Sequence, residues 1–251
     1  MKGGIKIKSP SEIKTMEEGG KKLALIKNRL KEEIKEDKSA ADIEEFANTL
    51  IEKSGGVASF KMVPGYSWAT CVNVNNGLVH GIPKKETIFK NGDVVSIDVG
   101  LYYKGFHTDT SFTVGIKTNI NVDNFLSAGK AALKKAINEV KVGNRIYDIS
   151  LAIQKSIERG RYSPIKALVG HGVGRELHEE PQIPCFTIGD RNDSPEIAEC
   201  MVFAIEVMYA MGTPEVVLLN DGWTIATRDG KISALFEETV ALTANGFVVL
   251  T

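Results

Sequence analysis

Apolar residues recur at intervals of three or four in the first part of the chain, a spacing typical of amphipathic helices. In the first such stretch they are Ile13, Met16, Leu23, Ile26 and Leu30. Ser9 and Glu12 just before it match a capping box, so the sequence predicts a long first helix that begins near Ser9. A second helix is predicted from Ser39, with Asp42 three residues on, to the glycines at 55 and 56.

The pattern then changes to short runs of β-branched and aromatic residues between turn residues. Residues 57–115 contain Gly65, the Asn-Asn-Gly at 75–77, Pro83 and the Asn-Gly-Asp at 91–93 as turn signals. Such punctuation around apolar runs predicts strands and turns rather than helices.

Two further helices are predicted after this region, one over residues 125–140 and one that ends at Gly160. "DIEEFANTLIEK" (42–53) and "DISLAIQKSIER" (148–159) share Asp-Ile at the start and Ile, Glu and a cation at the end. The order helix, helix, strands therefore occurs twice, which predicts a duplicated α+β half around a shared site. A closing hairpin is predicted with Asn245 and Gly246 at its turn. Because no linker separates the halves, we expect one domain over residues 1–251.

Composition excludes several classes of function. The 251 residues include 31 basic and 32 acidic side chains, so no electrostatic footprint for nucleic acid or an anionic membrane is present. The N-terminal stretch has no apolar run of signal-peptide length, and no run reaches the length of a membrane span. Cys71, Cys185 and Cys200 are odd in number and widely spaced, so we expect free thiols and a cytoplasmic protein.

The stretch "VVSIDVGLYYKGFHTDTSFTVG" (94–115) has the composition of a β-hairpin. With the turn centred between Tyr103 and Lys104, Asp98 and Asp109 are expected directly opposite each other on one face. Like charges at such positions are destabilising, by about 3 kcal/mol at an effective dielectric of about 20. The pattern therefore predicts that a cation neutralises the two carboxylates.

Two more acidic residues lie in apolar strand patterns, Glu206 in "MVFAIEVM" and Glu237 in "SALFEETVALT". Either could pair with an arginine or a lysine, but "VVSIDVG", "MVFAIEVM" and "ALFEETVAL" contain no basic residue. A buried carboxylate needs a cation, a hydrogen-bond network or a proton. Four carboxylates with one imidazole suit two divalent ions such as Mn, Fe, Co or Zn.

The four histidines of the chain all lie near these acidic motifs. His171 is the imidazole that we expect to bind metal, because the flanking glycines of "GHGVG" leave space for its ring. His80 in "VHGIP" and His178 in "LHEEP" are further candidates. For His107 in "FHTD" we expect an ordinary, satisfied imidazole.

Six motifs, in this order and spacing, closely resemble the type I methionine aminopeptidases over nearly the whole chain. They are "VHGIP", "SIDVG", "HTDTSFTVG", "GHGVGRELHEEPQ", "FAIEVM" and "LFEETVALT". The resemblance implies an α/β pita-bread fold, in which helices cover a central, curved, mainly antiparallel sheet with an internal pseudo-twofold repeat. It also implies hydrolytic removal of the initiator methionine from nascent proteins when the second residue is small.

By this resemblance the residues that match the metal ligands of the family are Asp98, Asp109, His171, Glu206 and Glu237. Asp109 and Glu237 would bridge two ions, Asp98 would bind one of them, and His171 with Glu206 would bind the other. As a catalytic residue, Glu206 would also be the general base. His178 matches a residue that contacts the scissile carbonyl, and His80 one that contacts the substrate and assists proton transfer.

The side chain of the substrate methionine needs an apolar, aromatic pocket. By position the candidates are Phe60, Tyr66, Cys71, Leu177 and Trp223. The chain departs from the family at Val63, often Tyr, at Leu177, often Phe, and at Val207, usually Pro. Asn75, Gly77 and Ser233 match positions around a monovalent-cation site of the family.

The resemblance implies that the partners are N-termini of nascent polypeptides, with action at the ribosome, and we expect a monomer. Two rival functions stay open at this point. An Xaa-Pro aminopeptidase or creatinase-like enzyme shares the fold and similar ligands, but usually carries an added N-terminal domain for which we expect no space here. A non-catalytic binding protein of this fold would typically have lost ligands, whereas all five are present.

Overall fold

The computed structural model describes residues 4–251, which form four α-helices, two short 3₁₀ helices and thirteen strands. The helices are α1 (Pro10–Glu33), α2 (Ala40–Ser54), α3 (Ile120–Asn138) and α4 (Ile146–Arg159). The strands of the first half are β1 (Val57–Ala58), β2 (Thr70–Val74), β3 (Gly77–Val79), β4 (Val94–Tyr103) and β5 (Phe106–Gly115). Those of the second half are β6 (Ser163–Pro164), β7 (Val169–Gly172), β8 (Glu179–Pro184), β9 (Val202–Ala210), β10 (Val216–Leu218), β11 (Ile225–Thr227), β12 (Ser233–Thr243) and β13 (Gly246–Val249). The expected domain over residues 1–251 includes residues 1–3, which lie outside the described residues.

The predicted starts of the first two helices are confirmed, whereas α3 begins and ends earlier than the predicted range 125–140. The two matching "DI" motifs share a physical role. Ser9 and Ser39 are the N-caps of α1 and α2, each in a capping box. Asp42 accepts the backbone N–H of Ser39, and Asp148 accepts that of Arg145, at 2.8 Å in both cases. Each aspartate satisfies a backbone N–H at the start of its helix. Nowhere in residues 4–251 is a helix both long enough and apolar enough to cross a membrane.

The sheet is antiparallel at every strand pair within the described residues. Its main path runs β1-β4-β5-β12-β9-β7-β8, while β2 pairs with β4, β6 with β9 and β13 with β12. A separate three-stranded sheet has the order β10-β11-β3. Strands β5 and β12 meet at the centre, so one helix–helix–strand half lies on each side of this seam.

Each half has its own apolar core beneath its pair of helices. In the first half, Leu23 and Ile43 of α1 and α2 belong to one buried cluster with Ile97 of β4. In the second half, Phe125 and Ile149 of α3 and α4 belong to another with residues of β9 and β12. This arrangement confirms the repeat that the sequence predicted.

The hairpin of β4 and β5 forms, but its predicted register is wrong. Lys104 and Gly105 have φ values of 48° and 92°, so these two residues form the turn, and Tyr103 pairs with Phe106. Two consecutive positive φ angles are the signature of the two-residue turn that matches strand twist. Asp98 consequently faces Ser111, and Asp109 faces Gly100.

The closing hairpin is confirmed, with its turn one residue earlier than predicted. Thr243 pairs with Gly246, so Ala244 and Asn245 form the turn. Gly246 begins β13 with a φ of 102°, a conformation in which glycine is strongly favoured.

Candidate metal centre

Three of the predicted metal ligands lie in one row across the middle of the sheet. The register pairs Asp98 of β4 with Ser111 of β5, Ser111 with Glu237 of β12, and Glu237 with Glu206 of β9. Residues directly opposite each other in adjacent strands project to the same face. The row therefore brings Asp98, Glu237 and Glu206 to one face, although they are far apart in sequence.

Asp109 lies on the same face as this row, two residues from Ser111 along β5. It is thus a diagonal neighbour of Asp98, and such neighbours are about 7–8 Å apart between Cα atoms. Asp109 faces Gly100, where a Cβ atom would lie 2.7 Å from Cβ of Ser59 and 3.1 Å from the ring of Phe60. A glycine is needed here because the segment that carries Phe60 crosses the strand at this point.

The backbone of Asp109 is held by Thr239 rather than by the regular sheet ladder. The Asp109 N–H donates to the Thr239 hydroxyl, and this hydroxyl donates to the Asp109 carbonyl, at 2.8 Å each. Thr113 makes the equivalent pair of bonds with Leu235, at 3.1 and 2.6 Å. Threonine hydroxyls therefore connect the two halves on both sides of the central ladder.

His171 completes the cluster from β7. It pairs with Ala204, two residues before Glu206, and its Nε2 lies 3.3 Å from Oε1 of Glu206. Its Nδ1 lies 2.9 Å from the Gly172 carbonyl, which can only accept, so Nδ1 carries the proton. Nε2 is then left with a lone pair directed at the carboxylates, as a metal-binding imidazole requires.

The donor atoms converge closely enough to share an ion. One ligand atom from each of Asp109, His171 and Glu237 lies within 4.8 Å of the other two, and all three residues are buried. Asp98 and Glu206 lie outside this tightest group but line the same cavity. Within residues 4–251, Oδ1 of Asp98 and Oε1 of Glu237 are buried without a hydrogen-bond partner. These free oxygen atoms fit a bound divalent cation.

The electrostatics of the cluster also call for positive charge. Burial, followed by repulsion from the neighbouring carboxylates, raises the pKa of Asp98 and of Glu237 well above the usual range. Burial likewise raises the pKa of Asp109 to about 7. Burial alone would lower the pKa of His171, but the negative charges of the adjacent Glu206 and Asp109 carboxylates raise it overall.

The alternative that each acid pairs with an arginine or a lysine is excluded. Among the described residues, no Lys or Arg forms a salt bridge with Asp98, Asp109, Glu206 or Glu237. The only basic partner within 4.0 Å of these four carboxylates in residues 4–251 is His171. The donor set of carboxylate oxygens and one imidazole suits Mn, Fe, Co or Zn.

An aromatic pocket opens directly beside the carboxylates. Phe60, Tyr66, Cys71 and Leu177 form one buried cluster, against which Trp223 packs. The ring centroids of Tyr66 and Trp223 lie 5.0 Å apart, edge to face. Cys71 pairs with Asp98 across β2 and β4, so pocket and cluster share a wall. Burial raises the pKa of the Cys71 thiol well above its ordinary value, which keeps it neutral.

All the predicted ligand and pocket residues line one cavity of about 140 Å³. They are Phe60, Tyr66, Cys71, His80, Asp98, Asp109, His171, Leu177, His178, Glu206, Trp223 and Glu237. The volume is below the range of about 300–1,000 Å³ typical of drug-sized ligands. The cavity therefore suits a single amino-acid side chain.

His80 and His178 line the cavity from different halves of the chain. His80 follows β3 in a left-handed conformation with a φ of 58°, which is uncommon for a residue other than glycine and concentrates at functional sites. The ring of His178 lies 4.5 Å from that of His171. Desolvation, together with the neighbouring histidines, lowers the pKa of His178 to about 3, so this imidazole is neutral at neutral pH.

His107 lies outside the cavity, as expected. Its Nδ1 is 2.9 Å from the Ser59 hydroxyl, and it packs against Tyr102. Asn75, Gly77 and Ser233 do come together, because Ser233 donates its N–H to the Asn75 carbonyl at 2.9 Å and its hydroxyl to the Gly77 carbonyl at 3.0 Å.

The sequence interpretation missed several residues around the site. Val79 lines the cavity just before His80, and Trp68 packs against Tyr66 with ring centroids 5.2 Å apart. Thr239 was missed because a threonine in a strand is ordinary until its register opposite Asp109 is known. The motif "VHGIP" was the signal that could have identified Val79.

Comparisons with known proteins agree with this geometry. The profile described as Metallopeptidase family M24 matches residues 14–244. Methionine aminopeptidase 1 of Bacillus subtilis is 41% identical over 246 residues, which are 97% of this chain and 98% of that protein. The crystal structure of methionine aminopeptidase from Thermotoga maritima is 40% identical, with a TM-score of 0.95 and 99% of both chains covered. Prolidase from Pyrococcus furiosus is 23% identical with a TM-score of 0.76 over 98% of this chain and 65% of that one, a likeness of fold alone.

Proposed function

Because the chain belongs to metallopeptidase family M24 and has the pita-bread fold of its structural relatives, we propose that it is a metal-dependent methionine aminopeptidase. It removes the initiator methionine from the N-terminus of nascent proteins and peptides whose second residue is small. The observation that carries this proposal is the single cavity in which four carboxylates without a Lys or Arg partner among the described residues, together with one imidazole, adjoin an aromatic pocket.

Five residues of the cavity are proposed to hold two divalent ions, namely Asp98, Asp109, His171, Glu206 and Glu237. The free oxygens of Asp98 and Glu237 and the lone pair on His171 Nε2 support this ligand set. Co, Mn, Fe and Zn all suit these donors. When bound, such ions act as Lewis acids and lower the pKa of water towards neutrality.

The residues of this chain supply the proton transfers and the binding of the peptide. Glu206 is proposed as the general base that accepts a proton from the attacking water and passes it towards the leaving amine. The neutral ring of His178 donates a hydrogen bond to the carbonyl oxygen as negative charge develops there. His80 contacts the substrate and assists proton transfer.

The aromatic pocket is proposed to bind the methionine side chain through Phe60, Tyr66, Cys71, Leu177 and Trp223. Thioethers pack favourably against ring edges, and three of these five residues are aromatic. Val63 also lines the cavity. Since Val63 and Leu177 are aliphatic where the family often has aromatic residues, they leave more space for the end of the substrate side chain.

The setting of the reaction is also a proposal. We infer that the enzyme acts as a monomer in the cytoplasm on polypeptides emerging from the ribosome, and that residues 1–251 form one catalytic domain. A monovalent cation is proposed at Asn75, Gly77 and Ser233, whose contacts bring two carbonyl groups and a hydroxyl together.

The test is a peptide panel with metal-loaded protein. Met-Ala-Ser should be cleaved, whereas Met-Lys-Ser and Ala-Pro-Ser should not. A chelator should abolish the reaction, and Mn or Co should restore it. Cleavage of Ala-Pro-Ser alone would instead indicate an Xaa-Pro aminopeptidase, and no cleavage despite bound metal would indicate a binding protein.

A further inference from the structure

A fully buried ion pair joins the N-terminal segment to the strand that follows His178. Nζ of Lys8 lies 2.6 Å from Oε2 of Glu179, and the two side chains are only 4% and 1% exposed. Lys6 also approaches Glu179, at 3.8 Å, but its side chain is 49% exposed. The two lysines therefore differ sharply in how tightly they engage the same carboxylate.

A buried ion pair alone contributes little net stability, because removing both charges from water offsets much of their attraction. Burial lowers the pKa of Lys8 even though Glu179 acts in the opposite direction. Apolar residues of similar size would fold comparably well. The pair instead restricts where Glu179, and hence the residue before it, can lie.

The segment 174–179 is fixed by contacts within itself and with the N-terminal region. Oε1 of Glu179 accepts the backbone N–H of Glu176 at 3.2 Å. Arg175 donates to Glu12 at the start of α1. Lys8 passes so close to Gly174 that a Cβ atom there would lie 2.5 Å from Cε of Lys8.

His178 depends on this support because its own ring is not anchored. Within residues 4–251 neither ring nitrogen of His178 makes a hydrogen bond, and the ring packs edge to face against His171. The position of the imidazole is thus set by the backbone that it shares with Glu179. A misplacement of about 1 Å in a catalytic group can cost about a hundredfold in rate.

We propose that Lys8, acting through Glu179, is a positioning residue that holds the His178 imidazole against the substrate carbonyl. This inference rests on the proposed function, since it concerns the proposed contact of His178. It assigns a role in the reaction to the N-terminal segment, which lines no part of the cavity.

The test compares Lys8→Met with Lys6→Met by measuring kcat, KM and metal content with Met-Ala-Ser. Lys8→Met should lower kcat about ten- to a hundredfold with KM changed less than threefold, because the interaction acts on the transition state. Lys6→Met should leave kcat within about twofold. Lys8→Met leaves the Glu179 carboxylate without its buried counter-charge, so the double variant Lys8→Met/Glu179→Met is the folded control in case the single variant does not fold.

Two readouts separate positioning from a general loss of structure. In a His178→Ala background, Lys8→Met should change kcat less than about twofold, because residues that act as a unit are not additive. In zinc-loaded, histidine-labelled protein, NMR should show the His178 ring signal moved by Lys8→Met and unmoved by Lys6→Met. The inference would be overturned if Lys8→Met lowered kcat by the same factor in the wild-type and His178→Ala backgrounds. Full kcat in the folded double variant Lys8→Met/Glu179→Met would also overturn it. Absence of cleavage by the wild-type enzyme would instead refute the proposed function.

Discussion

At the scale of single residues, neighbouring carboxylates on one strand have opposite tasks. Glu237 faces the cavity with a buried oxygen that has no hydrogen-bond partner among the described residues. Glu238, the next residue, faces the helices, where Lys27 lies 2.7 Å from its carboxylate. The alternation of a strand therefore separates a candidate metal ligand from an ordinary ion pair.

Glu237→Gln should lower metal affinity by more than about a hundredfold. Loss of a residue that hydrogen-bonds to a ligand lowers metal affinity about 10–100-fold, and loss of the ligand itself should lower it further. Titration calorimetry with Mn or Co measures this. Glu238→Gln is the matched control and should leave metal affinity unchanged. Equal affinities in the two variants would contradict the ligand assignment.

Phe60→Ala should raise KM for Met-Ala-Ser by about tenfold with kcat little changed, since the proposed pocket places the ring against the methionine side chain and not against the reacting atoms. Steady-state kinetics measures the effect. Phe247, which is 39% exposed, provides the control, and Phe247→Ala should leave KM unchanged. A loss confined to kcat would place Phe60 outside the side-chain pocket.

At the scale of elements, the sequence predicted the helices better than the strand registers. Local signals decide a helix start, and the Ser9 and Ser39 caps were correct. The register of a hairpin depends on which residues adopt positive φ in its turn. Because the turn forms at Lys104 and Gly105, Asp109 lies two residues away from the position opposite Asp98. The choice of acidic residues did not depend on this error, because a shift of two keeps both on the same face.

Thr239→Val should destabilise the protein by about 1–3 kcal/mol and weaken metal binding, since the N–H and carbonyl of Asp109 lose their partner. Urea unfolding and metal titration measure the two effects. Thr113→Val removes the equivalent bridge outside the cavity, so it should reduce stability but not metal affinity. Identical metal affinities in both variants would show that Thr239 only stabilises the seam.

Asp221, in the loop before β11 that also carries the pocket residue Trp223, should contribute to the pH dependence of stability in acid. Burial would raise the pKa of Asp221, but the N–H groups of Trp223 and Thr224, the Thr224 hydroxyl and Lys84 lower it to about 2 overall. A depressed pKa gives stability that is present above the unfolded value, near 4, and is lost as pH falls towards 2. The difference in unfolding free energy between wild type and Asp221→Asn should therefore shrink as pH falls from about 4. A difference independent of pH would exclude the ionised carboxylate as its source.

At the scale of the whole molecule, the site belongs to neither half alone. Asp98 and Asp109 come from the first half, and His171, Glu206 and Glu237 from the second. Motif order and family resemblance could predict these residues, whereas the contacts of Lys8 and Thr239 could not be predicted. Those contacts join residues more than a hundred positions apart, and no local pattern marks them.

Metal removal should lower the thermal midpoint of unfolding by about 5–10 °C. Metal at about a hundred times its Kd adds about 2.7 kcal/mol to the free energy of unfolding, and for a protein of this size that corresponds to such a shift. Calorimetry with and without chelator measures the shift. In the Glu237→Gln variant, chelation should leave the thermal midpoint almost unchanged. One transition in both states fits the proposed single domain, whereas two separate transitions would contradict it.

The most direct test of the metal centre is anomalous diffraction from crystals of the active, Mn-loaded protein. We expect strong peaks enclosed by Asp98, Asp109, His171, Glu206 and Glu237, beside the aromatic pocket. An active, metal-loaded crystal with no peak among these side chains would contradict this expectation.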